Sequence, residues 1–168
     1  VFLEAVEARY GYAFHAYAPG TMRRRIAKLM GETGHDSFYA FQKEVLTQPL
    51  YFERLFLEFS IGVTEFFRHP EQMAHLRERV LPYLNSFSLI RIWVAGCASG
   101  ETAYSLAIIL EETGLLDKSQ IYATDINPIS LQWARNGLYG AHNLEAIQNN
   151  YAISGGTRSF DDYVENNE

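Results

Sequence analysis

Two glycines and two acids stand at the ends of two apolar runs in the middle of the chain. One run leads into Gly96 and Gly100, and Glu101 follows directly. The other run, residues 121–124, ends at Asp125. Nucleotide-type cofactors need this order of strand, glycine turn, helix, strand and acid, because the glycines let the backbone approach the ligand and the second acid accepts hydrogen bonds from ribose hydroxyls. We therefore expect a cofactor site at these residues.

The spacing of the two glycines bears on which cofactor this is. Residues 96–100 read Gly-Cys-Ala-Ser-Gly, whereas a nicotinamide site would read Gly-x-Gly-x-x-Gly. The wider spacing fits S-adenosylmethionine better than a pyrophosphate, because its sulfonium and its zwitterionic amino acid need no anion cradle. Glu101 is a candidate partner for the cofactor's ammonium. Two alternatives remain: Glu101 favours the helix dipole as a first-turn acid, and the glycines serve packing.

Asp125 ends an otherwise apolar strand, where an unpaired carboxylate is costly to bury. It either caps the helix that follows or holds a ligand. Asn127 is the better cap, because it directly precedes Pro128. We therefore predict that Asp125 binds the ribose.

Hydrophobic periodicity and turn residues predict the elements that carry these groups. They indicate helices over residues 2–10, 21–30, 37–46, 50–61, 70–84, 101–113 and 128–136, and strands over 89–95 and 120–125. The second helix is expected to begin at a Thr21 cap and to end at Gly31. Both strands are apolar along most of their length, which predicts parallel strands covered on both faces.

The end of the chain lacks the strands that would complete such a sheet. From Gly155 onward the sequence turns polar. We infer the front part of a longer protein, and we expect that the open sheet edge allows self-association by strand exchange.

Composition narrows the class of protein. The net charge of −6 argues against nucleic-acid binding, and no apolar run approaches the roughly 20 residues of a membrane span. With no signal peptide before the first helix and Cys97 as the single cysteine, we predict a cytoplasmic protein with no membrane insertion and no disulfide. No metal site is expected, because metal-ligand spacing is absent among His15, His35, His69, His75 and His142.

One predicted helix carries a basic cluster in this acidic chain, formed by Arg23, Arg24, Arg25 and Lys28. An apolar stripe runs along the same helix, formed by Met22, Ile26, Leu29 and Met30. At about 100° per residue, Arg24, Arg25 and Lys28 share the arc opposite that stripe. The cluster suggests an acidic partner; the alternative is an ordinary solvated helix face.

Several motifs together resemble the CheR family of chemotaxis-receptor methyltransferases. They are Thr64-Glu65-Phe66-Phe67-Arg68, Gly96–Glu101, Ala103–Ala107, Ala123–Ile126, Ala134–Tyr139 and Arg23–Ile26. The resemblance spans nearly the whole chain in the family's order. It implies an α/β fold, with an all-helical N-terminal domain over 1–62 and the first part of a Rossmann-like methyltransferase domain over 63–168, ending at the start of a β-subdomain.

The resemblance also implies a function in bacterial signal transduction. The family's members are protein-glutamate O-methyltransferases, which move a methyl group from S-adenosylmethionine to glutamates on the cytoplasmic helices of chemotaxis receptors and leave S-adenosylhomocysteine. The implied cofactor contacts are Thr64, Arg68, Gly96, Cys97, Ala98, Glu101, Asp125 and Ile126. Arg68 is also the implied catalytic residue, which positions the substrate carboxylate, and the receptor is implied to meet Arg23, Arg24, Arg25 and Lys28.

Two positions depart from the family's pattern. The second of two consecutive acids after the glycine turn is here Thr102, and an often polar position is Gly62. Thr102 and the missing strands favour an alternative, a non-catalytic module that binds receptors or senses S-adenosyl ligands. Arg68 and Asp125 favour the enzyme. Activity is expected of the full-length protein and is not assumed of this chain alone.

Overall fold

The computed structural model describes residues 1–14, 17–60, 62, 64–140 and 143–165. It divides the chain into the units Val1–Ile61 and Gly62–Glu168, where the predicted boundary lay between residues 62 and 63. His15, His142 and the predicted helical end at residue 61 lie outside the described residues. No helix in the described part of the chain is long and apolar enough to cross a bilayer.

The first unit is helical. Its helices are α1 (Phe2–Tyr10), α2 (Pro19–Thr33), α3 (Phe38–Thr47) and α4 (Pro49–Ser60). Each helix buries a pair of apolar residues four or seven positions apart, which places the pair on one face: Phe2 and Val6, Met22 and Leu29, Phe41 and Val45, Leu55 and Phe59. The predicted bounds of α1 are confirmed.

The predicted ends of α2 are wrong at both termini. The helix begins at Pro19, whose fixed φ suits a first turn, and not at a Thr21 cap. It then continues through Gly31 to Thr33. Gly34, at φ 72°, adopts the left-handed conformation that ends it.

In the second unit, the predicted helix over 70–84 forms with a wider turn in its middle. Residues Pro70–His75 (α5) and Leu81–Leu84 (α6) are α-helical, and Leu76–Val80 between them is a π-helical turn. Pro82 has no N–H to offer the carbonyl of Glu78, and the π turn ends just before this proline.

A parallel two-stranded sheet forms the centre of the second unit. Strand β1 (Ile90–Ala95) pairs with β2 (Ser119–Thr124) from Ile90↔Ser119 to Ala95↔Thr124. Helix α7 (Glu101–Glu112) connects the two strands, and α8 (Pro128–Asn136) follows β2. The predicted fold class, a helical unit followed by the start of a Rossmann-like α/β unit, is confirmed.

The expectation of two covered sheet faces is wrong for the described residues. Exposure alternates along β1, so that Ile90 is buried and Arg91 is exposed. Trp93 is 71% exposed and its register partner Tyr122 is 46% exposed. One face therefore carries the core and the other is open in the described part of the chain.

Two elements near the end of the chain were not predicted. They are α9 (Leu144–Ile153) and the 3-10 turn Phe160–Tyr163. Each contributes one buried aromatic residue, Tyr151 and Phe160, to the core around Phe67. Leu144, Ile147 and Tyr151 of α9 recur at helical spacing, a signal that the prediction missed. Phe160 is a single aromatic in a polar segment, which produces no periodic pattern.

A buried carboxylate ties these late elements to the rest of the second unit. The side chain of Glu112 is fully buried. Its Oε1 accepts hydrogen bonds from the Tyr151 hydroxyl and from the N–H of Thr157 (3.0 Å), and its Oε2 accepts from Nη2 of Arg77 (2.6 Å). Burial alone would raise the pKa of Glu112, but these hydrogen bonds and the Arg77 charge outweigh burial and lower the pKa to about 2.

We expect Glu112→Gln to reduce the free energy of unfolding of the second unit by roughly 3–5 kcal/mol, because it leaves the Arg77 cation without its buried partner. Urea titration measures this change. The matched control is Glu111→Gln, since Glu111 is exposed and lies 3.7 Å from Arg158, and such a pair contributes about 0–1 kcal/mol. Equal losses in the two variants would contradict the structural role of Glu112.

The same carboxylate predicts an acid-dependent loss of stability. Its folded pKa of about 2 lies below the ordinary 4.5, so its contribution is fully present above about pH 4.5 and disappears as the pH falls toward 2. The stability difference between wild type and Glu112→Gln should therefore shrink over this interval.

Candidate cofactor site

The glycine turn after β1 is hydrogen-bonded to the last residue of β2, Thr124. The N–H groups of Gly96 and Cys97 both donate to the Thr124 carbonyl, at 2.8 and 2.9 Å. Parallel strands end at the same edge of a sheet, which is where ligands bind in open α/β folds. The turn and the loop after β2 therefore meet at this edge.

The two glycines of the turn are required for different reasons. Gly96 has φ 71°, and a Cβ placed there would meet no atom within 4 Å. Gly100 has φ 101°, and a Cβ there would lie 2.9 Å from Cβ of Ala134. Gly100 therefore serves close packing against α8, whereas the backbone at Gly96 faces open space that a ligand can enter.

The carboxylate of Asp125 joins the two loops. Its Oδ2 accepts the N–H of Ala98 at 2.8 Å, and its Oδ1 accepts the N–H of Asn127 at 2.8 Å. Asn127 caps α8 as predicted, since its Oδ1 accepts the N–H of Ile129 at 2.9 Å. Each Asp125 oxygen keeps a further lone pair, so the carboxylate is held in place and can still accept from a ligand.

Ala98 is the strained residue of the turn. It has φ 47° without being glycine, which costs roughly 1–2 kcal/mol, and it is buried. A Cβ on Gly62 would lie 3.2 Å from Cβ of Ala98. Gly62 therefore lies directly against the turn.

Glu101 occupies the first turn of α7, with its carboxylate held by a neighbour. Ser99 Oγ lies 2.9 Å from Oε1 and 2.8 Å from Oε2 of Glu101 and donates to the carboxylate. The side chain remains partly exposed. This placement agrees with both sequence readings of Glu101, a first-turn acid and an acceptor for a ligand's ammonium.

The motif Thr64–Arg68 is anchored by its two aromatic residues, Phe66 and Phe67. Both are buried in the core of the second unit. Phe67 has φ 52°, and its N–H donates to Oγ of the buried Ser105 at 2.9 Å. Ser105 Oγ in turn donates to the Glu101 carbonyl at 2.7 Å. One hydroxyl thus joins the motif to the first turn of α7.

Arg68 lies between two residues in the left-handed region, Phe67 and His69, the latter at φ 56°. Such conformations persist only where surrounding contacts hold them, and they cluster at functional sites. The Arg68 side chain is exposed and Thr64 is partly buried. The structure thus brings the motif against the first turn of α7, which directly follows the glycine turn.

Cys97 is buried inside the turn. Burial raises the pKa of its thiol first, and the negative charge of Asp125 raises it further. The thiol therefore stays protonated near neutral pH.

The four basic residues of α2 fall into two groups. Arg25 Nη1 donates to the carbonyls of Glu58 and Phe59, at 2.9 and 2.8 Å, and so stabilises the carboxyl end of α4. Lys28 pairs with the Glu58 carboxylate at 2.8 Å. The sequence predicted that Arg25 lies on the arc opposite the apolar stripe, exposed like Arg24. This is wrong, because Arg25 contacts the end of α4. Arg23 and Arg24 are exposed.

The residues at the sheet edge fit the predicted cofactor. Gly96 offers an open backbone, and the carboxylates of Asp125 and Glu101 offer acceptors for ribose hydroxyls and an ammonium. No group of three or more His, Cys, Asp or Glu side chains is placed to hold a metal ion within the described ranges. The fold and this edge define a nucleotide-cofactor-binding α/β protein preceded by a helical unit.

Comparison with known proteins makes the assignment specific. Residues 62–163 match the family model described as CheR methyltransferase, SAM binding domain, and residues 1–60 match CheR methyltransferase, all-alpha domain. The chain therefore belongs to the CheR methyltransferase family. The cofactor of the second unit is accordingly S-adenosylmethionine.

Several curated proteins are similar to this chain. "Putative methyltransferase Cher3" of Pseudomonas putida is 38% identical over 97% of this chain and 60% of its own length. "Chemotaxis protein methyltransferase" of Listeria innocua is 30% identical over 87% of this chain and 56% of its own length. A protein of the same name from Borreliella burgdorferi is 34% identical over 68% of this chain and 45% of its own length. The chain thus spans less than two thirds of these relatives.

Sequence reasoning assigned no role to three residues that shape the site. Ser99 holds the Glu101 carboxylate, Ser105 holds the Phe67 N–H, and Tyr139 donates to the Ser99 carbonyl. All three lie within the motifs that carry the family resemblance. Their place within these motifs could have marked them as site residues, although a motif does not reveal the hydrogen-bond partner of each side chain.

We expect Ser105→Ala to destabilise the second unit by about 1–3 kcal/mol, because the buried Phe67 N–H loses its acceptor. Urea unfolding measures the loss. Thr113→Val is the matched control: the Thr113 hydroxyl, near the end of α7, also donates to the carbonyl four residues earlier. If both variants lost the same stability, Ser105 would act only within its helix.

Proposed function

We propose that this chain forms the front part of a protein-glutamate O-methyltransferase that methylates glutamate side chains of chemotaxis receptors. In this proposal, residues 1–62 are the all-helical domain and residues 63–168 the partial methyltransferase domain. The observation that carries it is the Asp125 carboxylate, whose Oδ2 accepts the N–H of Ala98 in the glycine turn at 2.8 Å, while Gly96 faces open space. The relatives named chemotaxis protein methyltransferase support the receptor as substrate.

The proposed cofactor contacts are supported by the geometry of the sheet edge. Asp125 would accept the ribose hydroxyls, and Glu101 the ammonium of the amino-acid end. The backbone of Gly96–Ala98 would lie against the cofactor, with Thr64 and Arg68 contributing from the motif. Ile126 is 61% exposed beside Asp125 and offers an apolar contact.

The chemistry requires positioning more than proton transfer. When bound, S-adenosylmethionine supplies a methyl group, which passes in line from its sulfonium to the substrate carboxylate as the C–S electron pair stays on sulfur and S-adenosylhomocysteine is left. A glutamate carboxylate is already ionised at neutral pH, so the chain needs no general base. Arg68 would hold this carboxylate in a fixed geometry without removing its charge, and orientation can supply much of the rate.

The receptor contact is assigned to the basic face of α2. Arg23 and Arg24 are exposed and would meet acidic receptor helices, whereas Arg25 and Lys28 also serve the packing of α2 on α4. Cytoplasmic localisation belongs to the same proposal, because the methylated region would be the cytoplasmic part of the receptor. Self-association through the open sheet edge remains a prediction, which a strictly monomeric mass in solution would contradict.

Calorimetric titration of S-adenosylhomocysteine into the full-length protein tests the cofactor site. Asp125→Ala should weaken binding at least about tenfold, because a charge-assisted hydrogen bond is lost. Asp117→Ala, in an exposed 3-10 turn, is the matched control and should bind as wild type. Wild-type protein without measurable affinity would refute the proposed function, and unchanged affinity in Asp125→Ala would refute the ribose assignment.

Transfer of a radiolabelled methyl group to receptor tests the reaction. Arg68→Ala should lower kcat about a hundredfold, since a misplaced substrate costs this much, whereas Arg79→Ala in the exposed part of the π turn should not. The double variant Arg23→Gln/Arg24→Gln should raise KM for receptor at low salt and flatten its salt dependence.

Two outcomes of this assay would redirect the proposal. Cofactor binding without methyl transfer by the full-length protein would favour the non-catalytic receptor-binding or sensing module, in agreement with Thr102. If the double variant kept the wild-type KM for receptor at low salt, the proposal that the receptor contacts α2 would be contradicted.

A further inference from the structure

The segment after α8 returns to the glycine turn. Gly137 ends α8 in the left-handed conformation, at φ 63°. Two residues later, the Tyr139 hydroxyl donates to the Ser99 carbonyl at 2.6 Å. This contact joins residues 40 positions apart, and it reaches the turn from the side of α8.

The ring of Tyr139 is held by aromatic neighbours from two other elements. Phe66 of the Thr64–Arg68 motif packs against it edge to face, with centroids 4.8 Å apart. Tyr104 of α7 packs on it at 5.9 Å. A Cβ on Gly100 would lie 3.0 Å from the Tyr139 hydroxyl oxygen, so this oxygen sits directly against the turn.

The hydroxyl of Tyr139 is a lasting donor. Burial raises its pKa above the ordinary range, and the negative charge of Glu101 raises it further. The group therefore stays protonated throughout the pH range in which the protein works, and its hydrogen bond to Ser99 persists.

Ser99 transmits this support to a carboxylate. Its carbonyl accepts from Tyr139, and its own hydroxyl donates to both oxygens of Glu101, at 2.9 and 2.8 Å. A side chain held before the ligand arrives loses less conformational freedom on binding. Tyr139 and Ser99 thus orient Glu101 without either needing to touch a ligand.

We propose that Tyr139 is a positioning residue for the amino-acid end of the cofactor, acting through Ser99 on Glu101. The inference rests on the proposed S-adenosylmethionine site. It adds that Tyr139 influences the affinity for the cofactor's ammonium. It concerns one end of the ligand only, since the ribose is assigned to Asp125.

Two ligands separate this role from general support of the fold. S-adenosylhomocysteine carries the amino-acid end, and 5′-methylthioadenosine lacks it but keeps the adenosine and the sulfur. Their dissociation constants are measured with the full-length protein. Calorimetry gives the value for S-adenosylhomocysteine, and competition of 5′-methylthioadenosine with bound S-adenosylhomocysteine gives the second value. Tyr139→Phe keeps the ring and removes the hydroxyl, and should weaken S-adenosylhomocysteine roughly three- to tenfold while leaving 5′-methylthioadenosine unchanged.

Two further variants complete the test. Ser99→Ala removes the donor to Glu101 and should show the same selective loss. Tyr104→Phe is the matched control, because its hydroxyl donates to the Ala134 carbonyl at 2.9 Å in the same aromatic group; it should leave both affinities unchanged.

The outcomes distinguish this inference from the function on which it rests. If wild type bound neither ligand, the proposed function itself would fail. If wild type bound both, but Tyr139→Phe weakened them equally or changed neither, the positioning role would be overturned and the cofactor site would stand. A selective loss in Tyr139→Phe and Ser99→Ala, with none in Tyr104→Phe, supports the inference.

Discussion

The carboxylate of Asp125 joins the ends of both strands, and the geometry of the cofactor site depends on it. One oxygen accepts the N–H of Ala98 in the glycine turn and the other accepts the N–H of Asn127. Ala98 adopts a left-handed conformation that alanine disfavours by roughly 1–2 kcal/mol, and a hydrogen bond to a charged group contributes a comparable amount. The same carboxylate that is assigned to the ribose thus shapes the turn that faces the ligand.

The motif that carries Arg68 is supported in a similar way. Phe67 is fully buried in a left-handed conformation, and its N–H depends on the Ser105 hydroxyl. Phe66 packs against Tyr139, which supports the turn at Ser99. Aromatic burial therefore holds the loop, while hydrogen bonds set its register against α7. Arg68 is exposed, while the residue before it is anchored in the core.

The carboxylate that stabilises the second unit differs from the two that are proposed to bind the cofactor. Glu112 is fully buried, and its hydrogen bonds connect α7 with Arg77 and with the segment around Tyr151 and Thr157. Asp125 and Glu101 are partly exposed at the sheet edge. A buried acid that satisfies several donors holds the fold together, whereas an acid that keeps exposed lone pairs can accept from a ligand.

Local signals in the sequence were enough for the order of the elements as far as α8, the bounds of α1 and α8 and the Asn127 cap, because periodicity and capping act between residues a few positions apart. The glycine turn and Asp125 could be identified for the same reason. Local signals could not reveal the contacts made by tertiary packing. These are the buried hydrogen bonds of Glu112, the contact of Arg25 with α4, the packing of α9 and the support of the turn by Tyr139. These contacts join residues far apart in the chain, 40 positions for Tyr139 to Ser99 and 45 for Thr157 to Glu112. Only packing in three dimensions selects such partners, since many donors in the sequence could have served each acceptor equally well.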